Sequence, residues 1–295
     1  VVVLAAGAGL GVASNAGRLM TLMEYSPYSM RGKPELTIKD ANKPKDGGLD
    51  KDYVFSWSNA KMETFTLLIP HFYGGSSSET VGKKSAVADF FSSVNQSVEQ
   101  FPYYWGDQPF TSGPVYAGAI VCFLFILGLF IVDGRYKWWL LAATVFSIVL
   151  TWGRNFEDFN YFLFDTLPGY NKFRAVTMAI FIAQFSIAAL AAMALARLFD
   201  AANIEKLDKK LYYAAGIAGG LCLIFWLMPD MAGDFTTPND RQITGAGYPQ
   251  DVTARIMSAL YEDRASMVSS DALRSLFLII LAAGLVFMIA KGWMK

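Results

Sequence analysis

The stretch AVTMAIFIAQFSIAALAAMALA at 175–196 decides the fold class of this chain, because it contains no charged side chain. Roughly 20 apolar residues are enough to cross the hydrocarbon core of a bilayer as an α-helix. With its flanks this stretch is one of six apolar runs, at 1–23, 115–133, 137–153, 174–197, 211–229 and 272–291. We therefore predict an all-α polytopic membrane protein with about six transmembrane helices, in which 1–295 form a single transmembrane domain segment.

The overall composition is typical of a membrane protein. Hydrophobic residues make up 54% of the chain and the mean hydropathy is +0.33, while charged residues make up 17% against about a quarter in soluble domains. The formal net charge is +0, which gives no electrostatic reason to expect a nucleic-acid partner. Cys122 and Cys222 lie inside apolar runs, so we expect them to pack between helices, and we predict no metal and no cofactor.

Basic residues are concentrated on one side of the predicted membrane. They follow the second, fourth and sixth runs: Arg135, Lys137, Arg197, Lys206, Lys209, Lys210 and Lys291. Because Lys and Arg are enriched in cytoplasmic loops, this side is predicted to be cytoplasmic. The longer segments 24–114 and 230–271 then form loops on the outer side. Since the chain opens at Val1 within an apolar run, we expect it to be an internal segment of a longer protein.

Both outer loops carry apolar residues at helical spacing. In 79–104 these are Val87, Phe90, Phe91, Val94, Val98 and Phe101, and in 250–271 they are Val252, Ile256, Leu260 and Met267. The spacing predicts one amphipathic helix in each loop, the second of which continues into the last span. A short interfacial or re-entrant helix is also predicted at 156–164, ended by Leu167-Pro168-Gly169.

Two short segments of the first outer loop combine aromatic rings with carboxylate and amide groups. One contains Trp57 and Glu63, and the other contains Trp105, Asp107 and Gln108. Aromatic rings stack on the faces of pyranose sugars, and carboxylate and amide groups bind sugar hydroxyls, so these five residues are candidates for binding a sugar or an acceptor. An ordered turn at the membrane interface would use the same residue types, and the sequence leaves both interpretations open.

Two cations, Lys172 and Arg174, stand at the outer end of the fourth run. Basic residues on the outer side run against the usual distribution. The start of a helix favours anions, an Arg side chain can contact two phosphate oxygens at once, and Lys acts as a point charge. The pair is therefore a candidate site for a lipid-linked phosphate. Contact with ordinary lipid headgroups is the alternative.

Other polar and small residues favour structural roles. His71 is the single histidine, and it is predicted to make a structural hydrogen bond in its loop. Asp271, Arg274 and Arg264 are predicted to form an ion-pair cluster at the start of the last span. The glycine pairs at 7/11 and 216/220 have the spacing with which membrane helices approach closely.

Several of these motifs, in the same order, resemble the YfhO-type membrane proteins in their Bacteroidetes form. The segments are Trp57-Ser58 with Glu63 and Leu68-Ile69-Pro70, Tyr104-Trp105-Gly106-Asp107-Gln108-Pro109-Phe110-Thr111-Ser112-Gly113-Pro114, Tyr170-Asn171-Lys172-Phe173-Arg174-Ala175, and Asp271-Ala272-Leu273-Arg274-Ser275. The resemblance runs from about Arg18 to the end, and the segment beginning at Tyr104 is the most specific of them.

The resemblance implies a glycosyltransferase of the GT-C fold in the bacterial inner membrane, with its large loops in the periplasm. Such an enzyme takes its sugar from a polyprenyl-phosphate donor and delivers it to a cell-envelope glycan. The reaction inverts the anomeric carbon, and Lys172 and Arg174 would stabilise the leaving phosphate. In this pattern the catalytic carboxylate lies in the first outer loop, before Val1, so the catalytic residue is unknown here.

Two other classes of protein stay open. A transporter or flippase of lipid-linked sugars is disfavoured by the few ionisable residues in the predicted spans and by the lack of an evident inverted repeat. A non-catalytic membrane scaffold within a larger assembly is compatible with the sequence.

Overall fold

The computed structural model describes residues 2–33, 47–199, 204 and 206–293, and within these ranges the protein is mostly helical. The helices are α1 Val2–Ser14, α2 Ala16–Tyr25, α3 Lys51–Val54, α4 Ala86–Ser93, α5 Ala119–Ile131, α6 Tyr136–Thr151, α7 Glu157–Thr166, α8 Ile180–Leu198, α9 Leu207–Leu227, α10 Arg241–Thr244 and α11 Gln250–Ala290. Strands β1 Glu79–Thr80 and β2 Gln100–Phe101 form one antiparallel pair. Short 3₁₀ helices include Met62–Leu67, Tyr170–Lys172 and Val176–Ala179.

Three of the described helices are long and apolar enough to cross a membrane. They are Val176–Leu198, which includes α8, Leu207–Leu227, which is α9, and Gln250–Ala290, which is α11. The second and third predicted spans form the shorter helices α5 and α6. At 1.5 Å per residue, α5 is about 20 Å long, less than the roughly 30 Å hydrocarbon core. The described part of 1–23 is divided between α1 and α2 by Asn15.

The bundle is built around α5, α8, α9 and α11. α9 packs along α11, α8 packs against both α5 and α6, and α5 also contacts α9 and α11. The main core contains Phe123, Leu127, Leu190 and Ile279, all at most 1% exposed. These apolar side chains recur on the inward face of each helix, and their burial holds the bundle together.

Helix α11 is continuous from Gln250 to Ala290, so the helix predicted in 250–271 runs into the last apolar run. Its roughly 60 Å length is about twice the hydrocarbon core. The apolar part lies toward the end of the helix, whereas the buried charges Asp263 and Arg264 lie in its first half. That half packs against α4.

Buried charges join the two outer loops. The fully buried Arg264 guanidinium donates to both carboxylate oxygens of Asp240, at 3.0 and 2.8 Å. It also donates to four backbone carbonyls, at Pro102, Tyr103, Tyr104 and Phe235. The neighbouring Asp263 accepts hydrogen bonds from the backbone N–H groups of Ala86 and Val87 at the start of α4. The segments 47–114 and 230–271 therefore form one connected layer.

The structure differs from the sequence prediction in the first outer loop. The amphipathic helix predicted across 79–104 is only α4, because the chain turns at Asn95, which has φ 56°, and then pairs as β2 with β1. Residues 34–46 of the predicted loop 24–114 lie outside the described residues. Helix α7 confirms a helix at 156–164, and it ends at Leu167 as predicted.

The close approach of helices occurs at other glycines than those predicted. A Cβ atom at Gly7, Gly11, Gly216 or Gly220 would meet no atom of the described residues within 4 Å. A Cβ atom at Gly128 of α5 would instead lie 3.0 Å from the Leu190 carbonyl oxygen of α8. Gly128 is thus the position at which the lack of a side chain brings two helices together.

Candidate functional site

A cavity of about 230 Å³, lined by both polar and apolar groups, lies where the segment 59–115 meets the start of α8. Its walls come from the 3₁₀ helix Met62–Leu67, the turn around Gly74, the segment 104–115 and the residues that precede and begin α8. The lining residues with side-chain polar groups are Asn59, Glu63, Thr66, Tyr73, Tyr104, Gln108, Thr111 and Thr177. Two of the predicted site residues, Glu63 and Gln108, therefore line one cavity.

Glu63 is the buried carboxylate of this cavity. Its side chain is held by three hydrogen bonds, from the backbone N–H of Ala60 at 3.0 Å, the Tyr104 hydroxyl at 3.0 Å and the Gln108 amide at 3.2 Å. Burial raises the pKa of Glu63 to about 7, although these three bonds oppose the rise. The carboxyl group therefore changes charge near neutral pH.

Tyr104 and Gly106 place the Glu63 network. Tyr104 is buried, and its hydroxyl also accepts the backbone N–H of Gln108 at 3.3 Å. A Cβ atom at Gly106 would lie only 2.1 Å from that hydroxyl, so the Tyr104 ring fits only because position 106 has no side chain. Gln108 also donates to the Asn59 side chain at 3.0 Å.

Trp105 lies behind the cavity, not in its wall. Its ring stacks on Tyr73 at 4.0 Å and packs edge-on against Phe235 at 5.1 Å. Because Trp105 is only 5% exposed and Tyr73 covers its face, Tyr73 is the ring that a ligand in the cavity would meet. In this structure Trp105 packs behind Tyr73, and its assignment to sugar binding stays a prediction.

Asp107 also lies outside the lining residues. Its carboxylate accepts a hydrogen bond from the Asn155 side chain at 2.9 Å, and its backbone carbonyl accepts one from the Arg154 guanidinium at 2.8 Å. These contacts fasten the segment 104–110 to the chain that follows α6. Asp107 therefore positions Gln108, its neighbour in the cavity wall.

Arg174 belongs to an exposed aromatic and cationic cluster next to the cavity. Its guanidinium lies over the rings of Tyr53, at 5.6 Å, and Trp57, at 5.8 Å, and donates a hydrogen bond to the Tyr53 hydroxyl. Trp57 in turn contacts Phe110 edge-on at 5.5 Å. The predicted sugar-binding residue Trp57 is thus a partner of the predicted phosphate-binding residue Arg174.

Lys172 is linked to a third cation that the sequence did not single out. The Lys172 ammonium donates to the Arg31 carbonyl at 2.6 Å, and the Arg31 side chain donates to the Lys172 carbonyl at 2.8 Å. This reciprocal pair joins residues far apart in sequence, which is why no local motif indicated Arg31.

The cation cluster and the cavity share part of the chain. Arg174 lies just before the candidate span, and Thr177, Met178 and Ile180, which follow it, line the cavity. The regular helix α8 begins only at Ile180, after a 3₁₀ turn, so Lys172 and Arg174 precede the first helical turn predicted to contain them.

His71 makes the predicted structural hydrogen bond. Its Nδ1 lies 2.6 Å from the Asp271 carboxylate, which also accepts the His71 backbone N–H at 3.1 Å. This contact raises the pKa of His71. The Arg274 guanidinium lies 3.9 Å from the Asp271 carboxylate, whereas Arg264 pairs with Asp240. The three residues predicted to form one ion-pair cluster therefore belong to two separate pairs. Among the described residues, no group of three His, Cys, Asp or Glu side chains is placed to hold a metal ion.

The fold and the site together define a mostly helical protein with candidate membrane spans, a cavity that contains a buried carboxyl group, and a cationic cluster just before the residues at the start of α8 that line this cavity. No protein-family model, curated protein or solved structure matches the chain.

Proposed function

We propose that this chain is part of a membrane glycosyltransferase at the outer face of the bacterial inner membrane, with its large loops in the periplasm. It would transfer a sugar from a polyprenyl-phosphate donor to a cell-envelope glycan. The observation that carries the proposal is that Thr177, Met178 and Ile180, which line the cavity, follow Arg174 within six residues at the start of a candidate membrane span.

The cationic cluster supports the binding of the donor phosphate. Arg174 is exposed, lies close to two aromatic rings and donates to the Tyr53 hydroxyl, so these contacts restrict its position while its other N–H groups can reach a phosphate. Lys172 lies two residues away and adds a second positive charge. These charges would stabilise the negative charge that grows on the phosphate as it leaves.

The surface next to Arg174 supports the binding of a lipid chain. Phe173, Met178, Phe181 and Phe185 are each at least 65% exposed. The last three recur at helical spacing along the start of the candidate span, forming an apolar face toward the membrane. A polyprenyl chain would lie along this face with its phosphate at Arg174.

The size of the cavity and its mixture of apolar and polar groups support the binding of one sugar ring. Pockets for drug-sized ligands have about 300–1,000 Å³, so a cavity of about 230 Å³ suits a single ring better than an oligosaccharide. The Tyr73 ring offers an apolar surface, while Glu63, Gln108 and Asn59 offer hydrogen bonds to hydroxyl groups.

The test is a transfer assay with the purified full-length protein, a polyprenyl-phosphate sugar and a cell-envelope glycan acceptor. We expect the sugar to appear on the acceptor and free polyprenyl phosphate to be released. Movement of intact donor across a proteoliposome membrane without its cleavage would replace the proposal by a flippase, and neither transfer nor movement across a panel of donors would favour a scaffold.

A further inference from the structure

We propose that Glu63 is a catalytic residue, the base that takes the proton from the attacking hydroxyl of the acceptor. The inference rests on the proposed function and adds to it. The resemblance places the catalytic carboxylate before Val1, whereas this inference assigns the base to a residue within the chain. Its support is the geometry of the cavity and the chemistry of the groups around the carboxylate.

The position of Glu63 suits a group that acts on a bound ligand. It lines the cavity and is only 6% exposed, so a molecule reaches its carboxylate through the cavity. The hydrogen bonds from Tyr104 and Gln108 converge on one oxygen, Oε1, while the other oxygen, Oε2, accepts the Ala60 N–H. Each carboxylate oxygen can accept two hydrogen bonds, so Oε2 keeps room for a ligand hydroxyl.

The donors around Glu63 hold the carboxylate without neutralising it. All three are uncharged groups: a backbone amide, a phenol and a side-chain amide. A carboxylate bound to a cation would be a weaker base, since the cation stabilises the charged form. A fixed carboxylate bonded to neutral donors keeps its basicity and its orientation.

Burial, together with the neighbouring titratable groups, brings the pKa of Glu63 near neutral pH. Tyr73 and Tyr104 line the same cavity, Glu79 packs behind Gly75 of its wall, and Asp107 adds repulsion that raises the pKa of Glu63 further. A base is most effective when its pKa is near the working pH, and burial brings the pKa of Glu63 to about 7.

The transfer step balances without any further reactant. The acceptor oxygen forms a bond to the anomeric carbon while its proton passes to the Glu63 carboxylate. The bond from the anomeric carbon to the phosphate oxygen breaks, and its electron pair leaves with the polyprenyl phosphate beside Arg174. The proton returns to water after the product leaves the cavity.

The test compares Glu63→Gln with the wild type in the purified full-length protein. Asp89→Asn is the matched control, since Asp89 is an exposed carboxylate on α4 outside the cavity. We expect Glu63→Gln to lower kcat by about 100-fold or more, within the range of general-base catalysis. The Glu63→Gln variant should still bind the polyprenyl-phosphate sugar. This binding is measured as a ligand-induced shift in thermal stability.

The pH profile separates a catalytic from a structural role. The wild-type kcat/KM should fall as pH drops below about 7, because the base becomes protonated. Tyr104→Phe removes a hydrogen bond that lowers the pKa of Glu63, so it should move this fall to higher pH. The residual kcat/KM of Glu63→Gln should not decrease as pH drops below about 7.

Three failures are distinguishable. A wild type that transfers sugar while Glu63→Gln keeps its kcat and its pH profile would overturn the role of Glu63 and leave the glycosyltransferase proposal standing. A wild type that neither binds nor transfers from the donor would overturn both. Loss of donor binding and thermal stability in Glu63→Gln, with Tyr104→Phe leaving the pH profile unmoved, would assign Glu63 a structural role only.

Discussion

Lys172 and Arg174 are neighbouring cations that the structure restrains in different ways. Lys172 is half-buried and its ammonium already donates to a backbone carbonyl. Arg174 is exposed, and its guanidinium carbon lies 5.6 and 5.8 Å from the centres of the Tyr53 and Trp57 rings. A planar guanidinium can stack on rings and contact two phosphate oxygens together, which an ammonium cannot do. The two residues should therefore respond differently to conservative substitution.

Arg174→Lys should impair use of the polyprenyl-phosphate donor although the charge is kept. Losing one charge-assisted phosphate contact costs about 1.5–3 kcal/mol, which is roughly a ten- to hundredfold loss in kcat/KM. Lys172→Arg should be milder, and Lys83→Arg, at an exposed position of the outer loop, is the control. Wild-type donor use by Arg174→Lys would contradict the phosphate assignment and favour contact with ordinary headgroups.

Glu63 should also make stability depend on pH. Its folded pKa, about 7, lies above the ordinary value of 4.5, so the folded state binds the proton more tightly than the unfolded state. The resulting decrease in the free energy of unfolding is absent below about pH 4.5. It grows as pH rises and is complete above about pH 7. Because glutamine does not titrate, Glu63→Gln should raise the free energy of unfolding by about 1–3 kcal/mol relative to the wild type above about pH 7.

The measurement is the melting temperature of the detergent-solubilised protein between pH 5 and 8. His71 also loses stabilisation as pH rises, because its folded pKa is raised, but it does so in both proteins. The difference between wild type and Glu63→Gln therefore isolates Glu63. Parallel curves for the two proteins would show that this carboxyl group is not protonated in the folded state.

At the scale of elements, α11 connects the helical bundle with the loop segments 47–114 and 230–249. Its apolar end packs along α9, and its first half carries Arg264 into a buried site made by two loops. The Arg264–Asp240 pair is enclosed, with Asp240 only 7% exposed. Removing one member would leave the other charge buried without its partner, which is much costlier than losing a surface pair.

Arg264→Met should therefore destabilise the protein by about 3–5 kcal/mol. Arg255→Met is the matched control on the same helix, since Arg255 is exposed and lies over the Phe90 ring. The readouts are thermal stability and the rate at which a protease cuts the loop 230–249. Equal protease resistance in the two variants would mean that Arg264 does not hold this loop in place.

At the scale of the whole molecule, the two outer loops form one layer on one side of the bundle. The backbone carbonyls of Tyr103 and Tyr104 in the first loop accept hydrogen bonds from Arg264 of α11, which also bonds to the second loop at Phe235 and Asp240. A layer built from both loops requires that they leave the membrane on the same side. The turn between α5 and α6 should face the opposite side, as the basic residues there predict.

Single cysteines in a background without Cys122 and Cys222 would test this arrangement. Cysteines replacing Ser112 and Thr244 should react with an impermeant thiol reagent added to intact cells, whereas one replacing Arg135 should react only after the membrane is opened. All three positions are exposed. Labelling of all three from outside would contradict the predicted arrangement of spans.

The sequence by itself determined the features that depend on neighbouring residues. The apolar run at 174–197 indicated a span, the helical spacing in 250–271 indicated the extension of α11, and Leu167-Pro168-Gly169 marked the end of α7. These features follow from hydrophobic periodicity and from the backbone restrictions of proline and glycine, which act over a few residues.

Only the tertiary structure decided which of the candidate residues share a site. Glu63 meets Tyr104 and Gln108, which lie 41 and 45 positions away, and Arg264 meets Asp240 across 24 positions. Trp105 and Gln108 belong to one motif, yet packing against Tyr73 turns the first away from the cavity and leaves the second in its wall. The physical reason is that such contacts depend on how the loops fold over the bundle, and burial, which sets the charge of Glu63, exists only once they have done so.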